Sequence, residues 1–201
     1  MSTCLWVRIP EPIEDQIYTF VSYATPDDDG EMLFENLCQR DGTLRYRLLA
    51  TITKRRFWFT EDPGFKEWTF WCFTWSMNPE SWLLYLDGSQ IISDEENSTS
   101  NPNPKMIQGG GVLIFGQDQD EVGGGFSLHQ AFEGSLTEFN LWNRFITKQE
   151  IGTLMQSTCA MEYENSIISW KYSAFELFDV TESDQDTWNI QSEFLYLLTF
   201  E

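Results

Sequence analysis

The stretch that most constrains this chain is residues 109–144, GGGVLIFGQDQDEVGGGFSLHQAFEGSLTEFNLWNR. An apolar run, Val112 to Phe115, leads into three acids that lie close together between two runs of glycine: Asp118, Asp120 and Glu121. Glycine tolerates backbone conformations that other residues avoid, so the chain is able to bend sharply on both sides of the acids. The segment therefore combines a backbone that turns easily with a concentration of negative charge.

The spacing of Asp118 and Asp120 indicates what this segment is able to hold. Successive side chains alternate between the two faces of a strand, so these carboxylates are predicted to project to the same side. They repel each other unless a proton or a cation lies between them. A hard cation such as Ca²⁺ takes carboxylate, amide and backbone oxygens. The residues alone leave the alternative of a solvated acidic hairpin loop open.

Several stretches of the chain resemble one family, the pentraxins, a branch of the laminin-G-like, lectin-like β-sandwiches. GQDQDEVGGGF at 116–126, then Gln130, then FEGSLTEFNLWNRFIT at 132–147, resemble the metal loop of that family and the strands that follow it. FVSYAT at 20–25 resembles the strand before the family's first acidic metal loop.

Two shorter matches extend the resemblance. CFTWSM at 72–77 resembles the family's histidine-x-cysteine-x-serine/threonine-tryptophan signature, with Phe70 in the place of the histidine, and DGSQ at 87–90 resembles a hairpin turn. The resemblance runs from about Cys4 to about Val180. It implies an all-β fold, an antiparallel two-sheet jelly-roll sandwich with one short helix near 147–156.

Length and composition agree with such a fold. A chain of 201 residues is enough for one domain with a substantial core, so 1–201 is predicted to be a single domain. Aromatic residues make up 16% of the chain, and large rings suit the two inner faces of a sandwich. Residues 181–201 extend beyond what the family usually carries and are predicted to be a C-terminal extension.

Local patterns predict the elements. Alternating or β-branched stretches predict strands at 4–9, 17–24, 32–39, 44–52, 54–59, 67–77, 82–88 and 131–142, and two more within 167–180. The stretch 32–39 is predicted to pair with 44–52, and 25–31 is predicted to be a turn. Thr147 followed by Glu150 forms a capping box at the start of the only clear helix, 146–156.

The resemblance also implies a set of metal ligands. It assigns one calcium ion to the side chains of Asp29, Asp118 and Asp120 and to the backbone oxygen of Gln119. Gln130 is predicted to contribute to a second, poorer calcium position.

Three positions near the predicted calcium site depart from the family pattern. Gly30 stands where the family usually has an asparagine ligand, and Ser127 stands where it has a bridging glutamate, so we expect calcium to bind weakly, in roughly the 10⁻⁴ to 10⁻³ M range of extracellular modules. Glu35 stands near the place of an apolar residue that packs against choline methyl groups in the soluble members. These departures argue against phosphocholine as the ligand.

The four cysteines are an even number and fit two disulfides in a secreted protein. Without a C-x-x-C pair, the alternative of a zinc site is weak. The resemblance implies the pairing Cys4–Cys72, which leaves Cys38 for Cys159. Asn97 begins an N-glycosylation sequon, Asn-Ser-Thr, in a polar stretch.

An enzyme is not expected. Lectin-like sandwiches include glycoside hydrolases with acids at alternating positions. Asp118 and Asp120 match that pattern in part, but the third position is Val122. The single histidine, His129, has no serine or cysteine nucleophile motif around it and is predicted to be an exposed loop residue.

The chain is predicted to be an extracellular, calcium-dependent recognition or adhesion module. The main interpretation is part of the ectodomain of a cell-surface receptor, such as an adhesion G-protein-coupled receptor, and the alternative is a secreted pentameric pattern-recognition pentraxin. No signal peptide follows Met1, so we expect the signal and any anchor to have been removed or to lie elsewhere in a longer protein.

The expected partners follow from charge and from an open sheet edge. With 32 acidic and 12 basic residues and a net charge of −20, nucleic acid and anionic membranes are excluded as partners. No apolar run reaches the roughly 18 residues of a membrane span, so direct membrane insertion is not expected. An extracellular protein or glycan ligand is expected. A homodimer is favoured over a pentamer, since a neighbour is available to cover the edge left open near the N-terminus.

Overall fold

The computed structural model describes residues 1–9, 13, 15–40, 44–52, 55–59, 67–77, 80–91, 106–156, 165–174, 176–177, 180–183, 187–190 and 196–199. For residues 38–40, 44–51, 55–59, 77, 80–81 and those after 174, only the backbone is described.

The described residues form fifteen strands and one α-helix. The strands are β1 (Ser2–Arg8), β2 (Ile17–Thr25), β3 (Asp28–Arg40), β4 (Leu44–Ile52), β5 (Arg55–Phe59), β6 (Thr69–Met77), β7 (Glu80–Leu86), β8 (Ser89–Ile91), β9 (Val112–Phe115), β10 (Gly134–Trp142), β11 (Ser166–Ser169), β12 (Glu176–Leu177), β13 (Val180–Ser183), β14 (Thr187–Ile190) and β15 (Tyr196–Thr199). The helix is α1 (Lys148–Gln156).

The strands pair into two antiparallel sheets. In the described residues, sheet A has the order β13-β14-β10-β1-β6-β7-β8, with β11 also paired to β10. Sheet B has the order β12-β15-β9-β2-β3-β4-β5. The predicted all-β sandwich of two antiparallel sheets with one short helix is therefore confirmed.

Aromatic rings fill the space between the sheets. Phe34 of sheet B meets Trp71 of sheet A edge to face, with ring centroids 4.6 Å apart. Phe115 of sheet B meets Phe139 of sheet A in the same way at 4.8 Å. Edge-to-face geometry is the favourable arrangement for such pairs, and burial of rings this large contributes much of the stability of the core. These described rings thus lie between the two sheets, where the aromatic composition predicted them.

A second apolar cluster lies on the other face of sheet A, under α1. The helix buries Ile151 and Leu154 against this face of the sheet. Beneath it, Cys4 of β1 lies opposite Cys72 of β6, with their Cα atoms 4.1 Å apart and the two sulfurs bonded. The implied Cys4–Cys72 disulfide is confirmed. Phe70, in the place of the family's histidine, is 2% exposed and belongs to this cluster.

The two predicted hairpins are present, but one of their turns is shorter than predicted. The predicted pairing of 32–39 with 44–52 is present, because β3 pairs with β4 from Met32↔Ile52 to Arg40↔Leu44. The turn predicted over 25–31 is shorter, since Thr25 already lies opposite Asp28. The two residues between them close the hairpin, so the ladder continues almost to its tip.

The C-terminal segment adds strands to both sheets. β14 pairs with β10 in sheet A, and β15 pairs with β9 in sheet B. No helix in the described part of the chain is long and apolar enough to cross a membrane.

Candidate metal centre

The acidic loop, defined here as residues 116–125, starts where β9 ends. Gly116 has a φ of 89°, a conformation that glycine adopts without the steric cost a side chain would add. Its amide donates to the carbonyl of Phe20 at 3.3 Å, and its carbonyl accepts from the amide of Phe132 at 2.9 Å. The loop is therefore tied at its start to β2 and to the residues just before β10.

Gln119 holds the middle of the acidic loop against β2. Its side chain is 2% exposed. Nε2 donates to the carbonyls of Ser22 and Val112, both at 3.1 Å, and Oε1 accepts from the amide of Gly123 at 2.8 Å. The sequence indicated only its backbone oxygen, as a ligand. The structure shows its side chain to be an internal anchor that fixes the positions of the aspartates on either side.

Asp118 is the most constrained carboxylate of the loop. Oδ1 accepts from the amide of Gln119 at 2.9 Å and from the hydroxyl of Ser22 at 3.5 Å, and Oδ2 accepts from Nε2 of Gln130 at 2.8 Å. Burial, and to a smaller extent the charges of Asp120 and Asp29, raises the pKa of Asp118 to about 6 against the lowering effect of these hydrogen bonds. The site therefore disfavours a further negative charge and favours a cation.

Asp118 and Asp120 lie near each other, but the alternation of side chains along a strand is not the reason. Residues 116–120 form a loop that follows β9, so the alternation of a strand does not apply to them. The fold of the loop brings Asp120 close enough to raise the pKa of Asp118. Glu121 is exposed and forms an isolated bridge with Gly124, which closes the tip of the loop.

The turn between β2 and β3 brings the third carboxylate to the site. Thr25 and Asp28 fix this turn, because the Thr25 hydroxyl accepts from the Asp28 amide and Oδ1 of Asp28 accepts from the Gly30 amide, both at 3.2 Å. Asp29, the second residue of β3, is exposed, and its charge also raises the pKa of Asp118. Asp29 is therefore close enough for its charge to act on Asp118, and its role as a calcium ligand stays a prediction.

A short 3-10 helix, Leu128–Gln130, supplies the remaining predicted residue. Ser127 caps it, since its hydroxyl accepts from the amide of His129 at 3.3 Å. Nε2 of Gln16 donates to the carbonyls of Leu128 and Ala131 at 3.1 and 3.2 Å, which pins this helix to the residue before β2. Gln130 is thereby held with its amide nitrogen on Asp118. His129 is exposed, as predicted.

These residues have the donor chemistry of a calcium site. Asp29, Asp118, Asp120 and Gln130 offer the carboxylate and amide oxygens that Ca²⁺ takes. Among the residues that the structure describes, no three His, Cys, Asp or Glu side chains converge closely enough to hold a metal. The set fits calcium by its chemistry and by the mutual repulsion of its acids.

Ser22 is the functional neighbour that the sequence did not reveal. It is 1% exposed, and its hydroxyl contacts Asp118 and accepts from the backbone and side-chain nitrogens of Gln119, both at 3.3 Å. A serine inside a strand gives no signal of such contacts.

The predicted Cys38–Cys159 pair and the sequon at Asn97 lie outside the described residues or side chains.

The fold and the acidic loop define a class of protein. It is a lectin-like jelly-roll sandwich that holds an acidic loop, with its carboxylate and amide oxygens, against one sheet. The chain belongs to the pentraxin family, since the model described as "Pentaxin family" matches residues 1–182. This is a non-enzymatic, lectin-like binding family, so the prediction that the chain is not an enzyme is confirmed.

Curated relatives include neuronal pentraxins and a C-reactive protein. The chain is 31% identical over 175 residues to neuronal pentraxin-2 of Cavia porcellus, covering 87% of this chain and 38% of that protein. It is 30% identical over 178 residues to neuronal pentraxin-1 of Homo sapiens, covering 88% and 38%. It is 28% identical over 183 residues to C-reactive protein 1.1 of Limulus polyphemus, covering 89% and 72%. The chain thus spans 38% of the length of the neuronal pentraxins that it matches.

A solved structure supports the fold. The native heptameric SAP-like pentraxin from Limulus polyphemus has a TM-score of 0.68 and 21% identity to this chain, covering 94% of this chain and 82% of that one.

Proposed function

We propose that this chain is the calcium-dependent ligand-binding module of a secreted pentraxin, formed by the single domain 1–201. The observation that carries the proposal is the setting of Asp118, which is half-buried and bonded through both carboxylate oxygens. Its pKa is raised mainly by this burial and to a smaller extent by the charges of Asp120 and Asp29. Family membership supports the binding role. The buried Cys4–Cys72 disulfide supports an oxidising, extracellular compartment.

Each residue of the proposed site has a distinct task. The side chains of Asp29, Asp118 and Asp120 and the backbone oxygen of Gln119 hold the calcium ion. When bound, calcium supplies a positive centre that oxygen atoms of a ligand coordinate. The side chain of Gln119 keeps the loop in place, and Gln130 orients Asp118 through its amide. The protein thus positions the acids, and the ion reverses the charge presented to the ligand.

The proposed affinity for calcium is low. Ca²⁺ takes roughly six to eight oxygens, and Gly30 has no side chain to offer one. Ser127 uses its hydroxyl to cap the 3-10 helix. Waters complete the shell, which places the dissociation constant in roughly the 10⁻⁴ to 10⁻³ M range of extracellular modules.

The proposed ligand is an extracellular protein or glycan. Glu35, in the place where an apolar residue would pack against choline, is 7% exposed, and one of its carboxylate oxygens accepts from the hydroxyl of Thr19 at 3.4 Å. A buried acid there offers no apolar surface to choline methyl groups. The relatives found are named as pentraxins and a C-reactive protein, which supports the secreted form rather than a receptor ectodomain.

Thermal melts in calcium and in chelator test the proposal. At ten times the dissociation constant, calcium should stabilise the fold by about 1.4 kcal/mol, which raises the melting temperature by about 3–6 °C for a chain of this size. Asp120→Asn should lose most of this gain, because it removes a charged ligand. Glu121→Gln is the matched control and should keep it, because Glu121 lies at the exposed loop tip. Identical melts with and without calcium would show that residues 116–125 are only an acidic loop.

A further inference from the structure

A second feature of the described residues is an apolar pocket at one end of the sandwich. Its volume is about 270 Å³. Its walls come from both sheets: Tyr23 of β2, Met32 of β3, Leu113 of β9, Leu141 of β10 and Ile168 of β11. All five side chains are buried, so the pocket reaches into the main core.

The walls of the pocket offer apolar contact and little else. The hydroxyl of Tyr23 is already engaged, since it donates to the carbonyl of Gln108 at 2.8 Å and accepts from the amide of Gly111 at 3.0 Å. No Asp, Glu, Lys, Arg or His side chain is among the described residues that line the pocket. The N-terminal ammonium of Met1, another lining residue, is already engaged, since it donates to the carbonyl of Trp75 at 2.7 Å. A charged group placed in the pocket would lose its hydration without gaining an uncommitted partner, which costs far more than apolar contact returns.

The mouth of the pocket is open to solvent. Ile167 at its edge is 50% exposed, and Gly109 and Asn143 on the rim are also exposed. A Cβ atom added to Gly109 meets nothing within 4 Å. A small molecule therefore has a way in, and the Cβ atom of a larger residue at position 109 would lie in open space.

The volume sets the size of the occupant. A cavity of about 150 Å³ lined by Leu, Ile and Phe stays dry and binds benzene. In proportion to that cavity, the pocket volume of about 270 Å³ has room for roughly ten carbon atoms.

We propose that this pocket binds a small neutral apolar molecule, a chain or ring system of roughly ten carbons. The site is separate from the acidic loop, since none of the residues that line it is a predicted calcium ligand. The net charge of −20 adds to the selection against anions, because an acidic chain repels them before they reach the mouth.

Two matched ligands and a matched pair of variants test this, all in chelator so that calcium plays no part. 1-Decanol should raise the melting temperature of the unmodified protein and bind in isothermal titration. Decanoate, with the same chain length but a charge at pH 7, should bind at least about tenfold more weakly. Gly109→Leu and Ile167→Trp place bulk at the mouth and should abolish the decanol shift. Gly152→Leu, at another open glycine on α1, should leave it intact.

Each other result overturns the proposal. No decanol shift in the unmodified protein would mean that the pocket takes no such ligand. An equal shift in Gly109→Leu and Ile167→Trp would place the binding elsewhere. Equal affinity for decanoate would contradict the neutral class of ligand.

Discussion

At the scale of single residues, two neighbouring glutamines show that burial alone does not define a structural role. Gln117 and Gln119 are 1% and 2% exposed. Gln119 satisfies both ends of its amide within the fold. Among the described residues, the amide nitrogen and oxygen of Gln117 have no hydrogen-bond partner. A bonded buried amide contributes to stability, whereas an unbonded one costs its desolvation, so substitutions at the two positions should have opposite effects.

We therefore expect Gln119→Met to lower the free energy of unfolding by about 2–4 kcal/mol, since it leaves the carbonyls of Ser22 and Val112 and the amide of Gly123 without their side-chain partner. Gln117→Met is the matched control and should keep or raise stability, because it removes polar atoms that have no partner. Urea denaturation without calcium measures both. Equal losses in the two variants would contradict the assigned role of the Gln119 side chain.

At the scale of elements, the sequence predicted what depends on neighbours in the chain. Helix α1 and its start were readable because Thr147 and Glu150 lie within one turn. Most strands were readable because alternation and β-branching are local as well. The anchoring of the acidic loop was not readable, since Ser22 and Gln119 are far apart in the chain and meet only after β2 and β9 pair. Side-chain contacts between distant segments depend on the register of strands, which a single sequence specifies poorly.

The start of α1 gives a prediction about pH. Glu150 accepts from the Thr147 amide at 2.7 Å and pairs with Arg144 at 2.7 Å. The hydrogen bond from Arg144, followed by that from the Thr147 amide, lowers the pKa of Glu150 to about 2. A lowered pKa in the folded state means that ionised Glu150 stabilises the fold above its unfolded pKa of roughly 4.3, and that this stability is lost as the pH falls toward the folded value.

Glu150→Gln should therefore reduce the free energy of unfolding at pH 7 by less than about 1 kcal/mol, since the pair is largely exposed to solvent. The difference from the unmodified protein should shrink between pH 4 and pH 2, as measured by urea denaturation across that range. Arg144→Gln should move this decline to higher pH, because it removes the largest cause of the lowered pKa. A difference that stays constant down to pH 2 would show that the carboxylate of Glu150 has no such role.

At the scale of the whole molecule, the C-terminal strands change the argument about assembly. A homodimer was favoured because a neighbour was available to cover an open sheet edge. In the described residues, β15 lies beside β9 and β14 lies beside β10, so the chain covers these edges itself. Covered edges remove the reason for strand pairing between two copies at those positions. What remains is association through other surfaces, as in closed rings.

We expect an assembly of five or more copies rather than a dimer. A ring needs only a contact that repeats around an axis, with no free strand edge, and the described edges of β9 and β10 are already covered. Light scattering after size exclusion should give a mass of five or more times the 23.5 kDa of one chain. The measurement is best made at about 0.15 M salt, where screening limits repulsion between chains that each carry a net charge of −20. A mass of two chains would contradict the ring. It would indicate that two copies pair through an edge strand other than β9 or β10. In that case, cutting the chain before β15 should enlarge the complex, because the freed edge of β9 would then recruit a further copy.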